Sequence, residues 1–204
     1  LNIYKPKGPS SYDIIRQIKR DAVDKKVGHG GTLDPLASGV LVVAIGREFT
    51  KQLDNVVKDQ KEYIANIKLG ESSTTQDEEG EKTQISIESE PALAQIKETI
   101  QKFIGKIKQI PPAYSAMKIN GQRAYKLARQ GINPDIKERE ITIYEIELLS
   151  YNWPILEIRV VCSSGTYIRT LANDIGSDLA TGGYLKDLIR TRVGEFDIKD
   201  SIKL

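Results

Sequence analysis

The residues able to do chemistry are few, and they concentrate near the start of the chain. The stretch Gly28-His29-Gly30-Gly31-Thr32-Leu33-Asp34-Pro35-Leu36-Ala37-Ser38-Gly39-Val40-Leu41 holds the only histidine, four glycines, and an aspartate that precedes a proline. Glycines at this density let a backbone take positive φ or approach a ligand closely. Pro35 biases the backbone of Asp34 towards an extended form. The stretch therefore reads as a tight polar loop running into the buried strand Val40–Ile45, with its carboxylate on a constrained turn beside a rigid element, which suits a reactive group. The competing reading is that Asp34 caps a short helical turn beginning at Pro35. Turn chemistry taken alone favours that second reading.

Other chemistries are largely excluded. One histidine and one cysteine, Cys162, leave no internal disulfide and no cysteine-based metal cluster, and a Ser-His-Asp arrangement has little support. There is no Walker-type phosphate loop, and Gly28–Gly31 lacks the dinucleotide-binding spacing. What remains is an aspartate on a glycine-rich loop, nine tyrosines and scattered arginines. No apolar run of about 18 residues is present, and the N-terminus lacks a signal-peptide pattern. A soluble, cytoplasmic protein without membrane association is expected.

Charge is balanced in total, at +2, but segregated along the chain. No acidic residue occurs from Thr99 to Pro134, whereas Lys102, Lys106, Lys108, Lys118, Arg123, Lys126 and Arg129 are all basic. The N-terminal segment carries Lys5, Lys7, Arg16, Lys19, Arg20, Lys25 and Lys26 against three aspartates, and Glu71 to Glu90 is acidic. Separated signs fit one basic face for nucleic acid as well as they fit ordinary solvated helices.

The elements that must position Asp34 follow from periodicity. At 204 residues and 39% hydrophobic content, one large domain over 1–204 is expected. Leu1–Tyr4 reads as a strand, and Ser10 with Asp13 has capping-box spacing ahead of a helix over about 12–22. Thr50–Val57 reads as a helix with Phe49, Leu53, Val56 and Val57 inward. Lys61–Leu69 alternates with Tyr63, Ala65, Ile67 and Leu69 on one face. Gly70–Gly80 reads as an exposed loop and Thr83–Ile87 as a short strand. A helix beginning near Ser89-Glu90-Pro91 presents Leu93, Ile96, Ile100 and Phe103. Asn120-Gly121 signals a hairpin turn, and Tyr125–Gln130 a short helix. Glu140–Leu149 and Pro154–Cys162 read as strands. Ser163–Thr166 opens a helix carrying Ile168, Leu171, Ile175 and Leu179, and the remainder, Leu185–Leu204, reads as mixed helix and strand. The irregular interleaving favours an α+β domain on a mixed, mostly antiparallel sheet flanked by helices.

Five ordered blocks carry a family resemblance: Lys5-Pro6-Lys7-Gly8 with Ser10-Ser11; Gly28 to Gly39; Lys61-Glu62-Tyr63; Ile110-Pro111-Pro112-Ala113-Tyr114-Ser115-Ala116 with Lys118 and Gly121; and Ser164-Gly165-Thr166-Tyr167-Ile168-Arg169-Thr170. In order and spacing the chain resembles the bacterial TruB family of tRNA pseudouridine synthases over nearly its whole length. The resemblance implies a pseudouridine synthase fold and, without cofactor or metal, isomerisation of a T-loop uridine of tRNA, conventionally position 55. It implies Asp34 as the nucleophile, towards sugar or base, with Arg169 paired to it. Tyr63 would stack on the target base and help remove the C5 proton, Tyr167 would be a second substrate contact, and Leu188 would pack on the base. His29 would contact the refolded T loop. Lys5 and Lys51 would be positive contacts serving the scaffold or the RNA backbone. An insertion over about 99–134, with Lys118 and Arg123, would clamp the T arm.

Two departures accompany the resemblance. The family commonly has threonine where this chain has Gly30, which is expected to loosen the loop. Bacterial relatives usually continue into a C-terminal PUA-type domain, which is expected to be absent from a chain ending at Leu204. A monomer acting on tRNA is expected. The competing functions are a non-catalytic tRNA-folding chaperone with the same fold, a synthase of another family (which would carry Arg before Leu-Asp, where this chain has Thr32), and a guide-RNA-dependent relative.

Overall fold

The computed structural model describes residues 1–22, 25–115, 117–119, 121–132 and 135–204, apart from the side chains at 54, 57 and 118. Strand β1 (Asn2–Lys5) leads to helix α1 (Ser11–Asp21), β2 (Val27–Gly30), β3 (Ala37–Ile45), α2 (Arg47–Lys58), β4 (Lys61–Leu69) and the short pair β5 (Glu71–Ser73) and β6 (Lys82–Gln84). Then come α3 (Leu93–Lys102), β7 (Gly105–Gln109), β8 (Lys118–Ile119), β9 (Gln122–Arg123) and α4 (Ala124–Arg129). The chain closes with β10 (Arg139–Asn152), β11 (Ile155–Cys162), α5 (Ile168–Asp178), β12 (Gly183–Val193), β13 (Phe196–Asp197), a 3-10 turn over Ile198–Asp200, and β14 (Ile202–Lys203). The main sheet runs β14-β1-β3-β12-β4-β11-β10-β7, with β2 added to β3 and β13 to β12. Its pairings are antiparallel except β1 with β14 and β3 with β12. This is the expected α+β architecture.

Local chemistry explains most of the elements. Ser10 and Asp13 cap α1 reciprocally: Asp13 N–H donates to Ser10 Oγ at 3.2 Å and Ser10 N–H to Asp13 Oδ2 at 3.0 Å. The buried stripe Ile14, Ile15 and Ile18 then packs on Ile3, Val27, Leu41 and Val43. Leu53 and Val56 of α2 pack on Val40, Val42 and Val193. Strand β3 is thus covered on both faces, which accounts for its nearly unbroken apolar sequence. The larger core lies where Ile96 and Ile100 of α3 and Leu171, Ala172 and Ile175 of α5 cover the alternating inward residues of β4, β10 and β11.

Several expectations need correction. Gly28–Gly30 is not loop but strand β2, paired to β3 from Val27↔Ile45 to Gly30↔Val42. Gly70–Gly80 is not simply an exposed loop, because β5 pairs with β6 and Glu71, Ser73 and Asp77 are buried. Phe49 does not face inward: it sits in the first turn of α2 and is 58% exposed, since β3 has already ended at Ile45. Helices α3 and α5 start later than their cap signals suggested, at Leu93 and Ile168. Leu185–Val193 belongs to one continuous strand, β12. The hairpin expected at Asn120-Gly121 is flanked as it should be, by Lys118↔Arg123 and Ile119↔Gln122, although Asn120 itself lies outside the described residues.

The register gathers the site at the middle of the sheet. On β12, Leu188 pairs with Ala37 of β3 and Ala65 of β4, while Arg190 pairs with Gly39 and Tyr63. Gly39, at φ 108°, allows this close approach, because a Cβ there would stand 2.2 Å from the Arg190 carbonyl oxygen.

Candidate active site

Asp34 is presented by a turn secured from several directions. Its carbonyl accepts from Ala37 N–H at 3.0 Å, closing a turn directly into β3. Gly8 N–H donates to the Pro35 carbonyl at 2.8 Å. Ser11, 2% exposed, receives Leu33 N–H on its hydroxyl at 2.8 Å and donates to the Leu33 carbonyl at 2.8 Å. Leu33 and Leu36 are buried on either side. With the neighbouring side chains in the core, the Asp34 side chain remains 44% exposed over a cavity. No helix follows Pro35, so the capping reading of Asp34 does not hold.

Behind Asp34 lies Arg169, in the first turn of α5 and 6% exposed. Its Nη2 stands 3.2 Å from Asp34 Oδ2 and donates to the Tyr114 carbonyl at 2.9 Å. Its Nη1 is 3.0 Å from Asp77 Oδ2. A cation at a helix N-terminus opposes the helix dipole, and the two carboxylates compensate it. Asp77 is itself fixed: Glu79 N–H donates to its Oδ1 at 3.0 Å, the Thr75 hydroxyl donates to the same oxygen, and Ser73 Oγ donates to its carbonyl at 2.6 Å.

Asp34, Tyr63, Tyr167, Arg169 and Leu188 line one cavity of about 270 Å³, together with Lys61 and Arg190. Tyr63 projects from the buried face of β4, and burial pushes its phenol up to about 12 despite the adjacent Arg190 guanidinium. It is a neutral phenol at physiological pH. Arg190, 1% exposed, donates Nε to the Val40 carbonyl at 2.8 Å and Nη2 to the Gly31 carbonyl at 3.0 Å, tying the Asp34 loop to β3. Lys61 is buried in the wall, and desolvation brings its ammonium down to about 8.

Lys5, His29, Lys51 and Arg123 stand outside the cavity lining. Lys5 does not suit the expected RNA contact. It is 0% exposed, its Nζ donates to the Pro6 and Pro9 carbonyls at 2.9 and 2.8 Å, and desolvation lowers it to about 8. It braces the turn that holds Pro35. His29 is half-buried on β2, its pKa lowered by burial and then by Arg190. Lys51 and Arg123 are exposed on α2 and β9. The Lys118 side chain lies outside the described residues. Within the acid-free stretch, Lys102, Lys106 and Lys108 are matched in space by Asp178, Glu140 and Glu138. Arg123, Lys126 and Arg129 of the same stretch are exposed. Gly30 is buried, not loosened: a Cβ there would meet Val56 Cγ1 of α2 at 3.3 Å.

The family model for the N-terminal domain of TruB family pseudouridylate synthases matches residues 19–168, which include Asp34, Tyr63, Asp77 and Tyr167. The chain belongs to the TruB family. Among its TruB relatives, the tRNA pseudouridine synthase B of Clostridium acetobutylicum is 48% identical over 204 residues, and that of Clostridium kluyveri 45% identical over 207. Each alignment covers 100% of this chain and 70% of the relative. A solved Cbf5-Nop10-Gar1 complex contains a chain 32% identical, with a TM-score of 0.77. An H/ACA RNP bound to a substrate RNA containing 2′-deoxyuridine contains one 28% identical, with a TM-score of 0.73. The TruB chain described here spans about half the length of each of these two.

Sequence reasoning missed Ser11, Asp77 and Arg190 as residues of the site. Arg190 carried a usable signal, since it shares the core-facing alternation of β12 with Leu188. Asp77 carried none, being one of three consecutive acids of which it alone is buried. Among the described residues no helix is long and apolar enough to cross a membrane, and no group of three or more His, Cys, Asp or Glu could hold a metal ion.

Proposed function

We propose that this TruB-family enzyme converts one uridine of the tRNA T loop, position 55, into pseudouridine, with Asp34 as the nucleophile. The observation that carries the reading is the convergence of Asp34, Arg169, Tyr63 and Leu188 on one cavity. Its volume suits one flipped nucleotide, and unstacking that nucleotide costs a few kcal/mol. Leu188 and the Tyr63 ring offer apolar and aromatic faces to replace the lost stack. In the reaction the N1–C1′ bond breaks, the base turns, and C5 joins C1′. The C5 proton leaves and N1 gains one, so atoms balance without a cofactor. Arg169 holds the carboxylate in place, with Nη2 3.2 Å from Asp34 Oδ2. Because Tyr63 is a neutral phenol, stacking is its principal role here.

The test uses a T-arm stem-loop RNA carrying tritium at uridine C5. Wild type is expected to release tritium, and Asp34→Asn to bind the RNA without release. Binding by the wild type with no release would favour a tRNA-folding chaperone instead.

A further inference from the structure

Tyr167 is held from two sides by one cross-strand pair. Gln109 of β7 and Arg139 of β10 face each other in register. Gln109, 1% exposed, takes the Tyr167 N–H on Oε1 at 2.8 Å and donates Nε2 to the Tyr167 carbonyl at 3.0 Å. Arg139 lies over the Tyr167 ring, 5.0 Å from its centroid. Its Nη2 is 3.3 Å from Tyr167 Oη and 3.4 Å from Met117 Sδ. Tyr167 and Met117 both line the cavity.

Among the described residues no acid is paired with the cation at Arg139. Arg139 shares the inward face of β10 with Ile141 and Ile143. The flanking Glu138 and Glu140 are engaged by Lys108 at 2.5 Å and Lys106 at 3.3 Å. Among the described residues Arg139 makes no ion pair, and its named partners are a phenol and a thioether. The guanidinium is nevertheless held over the tyrosine ring and against its hydroxyl. Its Nη1 edge faces Gly165, which has no side chain to cover it: a Cβ there would come within 3.3 Å. A planar donor fork, pre-oriented and short of acceptors, matches a phosphate.

We propose that Arg139 is a further RNA-binding residue, whose guanidinium takes a backbone phosphate at the edge of the cavity, beside the nucleotide that enters it. The assignment rests on the RNA-modifying reading above. The competing account is that Arg139 only orients Tyr167. The two differ in charge: a phosphate contact releases counterions and steepens the salt dependence of binding, and packing against a tyrosine does not.

The test measures the Kd of the T-arm stem-loop RNA across a range of KCl concentrations. For Arg139→Gln the slope of log K against log salt is expected to flatten by about 0.7–0.9, with binding several-fold weaker at low salt. Arg139→Lys is expected to keep the wild-type slope, because the charge remains. Tyr167→Phe, which removes only the hydroxyl contact, is also expected to keep it. An Arg139→Gln slope equal to wild type overturns the proposal. Should Arg139→Gln lose cooperative melting, Arg139→Met, which packs over the ring without charge, gives the same reading. A wild type that fails to bind the RNA counts against the RNA-modifying reading itself. Wild-type binding with an unchanged variant slope removes only the role of Arg139.

Discussion

Arg169 and Asp77 form a buried ion pair, 3.0 Å apart, and the other arm of the same guanidinium reaches Asp34 at 3.2 Å. The position of the proposed nucleophile therefore depends on a carboxylate that stands outside the cavity lining. Breaking a buried pair leaves a charge without compensation and costs about 3–5 kcal/mol. Asp77→Asn keeps the shape and removes the charge, freeing Arg169 to shift towards Asp34. Turnover at saturating RNA is expected to fall about 100-fold, as it can for a misplacement of about 1 Å, with RNA affinity almost unchanged. A single-turnover assay paired with a binding titration separates the two. A loss in affinity at normal turnover would contradict this role.

Ser11 is the second remote support, since one hydroxyl satisfies both backbone groups of Leu33, the residue before Asp34. Ser11→Ala leaves a buried N–H and a carbonyl unpaired, at about 1–3 kcal/mol for such a group. The melting temperature is expected to fall by several degrees and turnover to fall with it, although Ser11 is not among the residues lining the cavity. Unchanged melting would show that water or a shift of Leu33 replaces the contact.

The buried phenol of Tyr63 predicts a change at alkaline pH. Its folded pKa, about 12, exceeds the ordinary tyrosine value near 10. The folded state thus retains a proton between those values that the unfolded chain loses. The resulting stability is fully present below pH 10 and is lost as pH rises through 12. Tyr63→Phe removes this dependence, so its urea-unfolding free energy should fall less steeply than that of wild type over pH 10–12. Lys5 and Lys61 contribute equally to both proteins and cancel in the comparison. Parallel curves would show that Tyr63 ionises normally.

Gly30 stands beneath α2, where an added Cβ meets Val56 at 3.3 Å and Leu53 at 3.4 Å. Gly30→Thr is expected to destabilise by about 1–3 kcal/mol through overpacking. Adding Val56→Ala should recover most of that loss, which a thermal-melt double-mutant cycle would measure. Additive losses in the double variant would locate the strain elsewhere.

Elements with a strong period were legible from sequence. The 2-residue alternation of β4 placed Tyr63 inward, and the Ser10/Asp13 box started α1. The expected residues Asp34, Tyr63, Tyr167, Arg169 and Leu188 do share a cavity. The failures share a physical cause, because polar residues that tertiary structure buries look like surface residues in one dimension. Asp77 sits in a run of acids, Lys5 in a lysine-rich turn, and Gln109 on an edge strand, yet each is buried at 0–2% exposure. The partners of Asp77 and Gln109 lie 92 and 58 residues away along the chain, where local pattern carries no information. Likewise, the acid-free run of lysines was matched by acids from distant segments.

The most direct test of the central claim is site mapping of pseudouridine in a full tRNA transcript incubated with wild type and with Asp34→Asn. The account predicts one pseudouridine, at the T-loop position 55, formed by the wild type and absent with the variant. An unmodified position 55 with wild type, or equal product with Asp34→Asn, would contradict it.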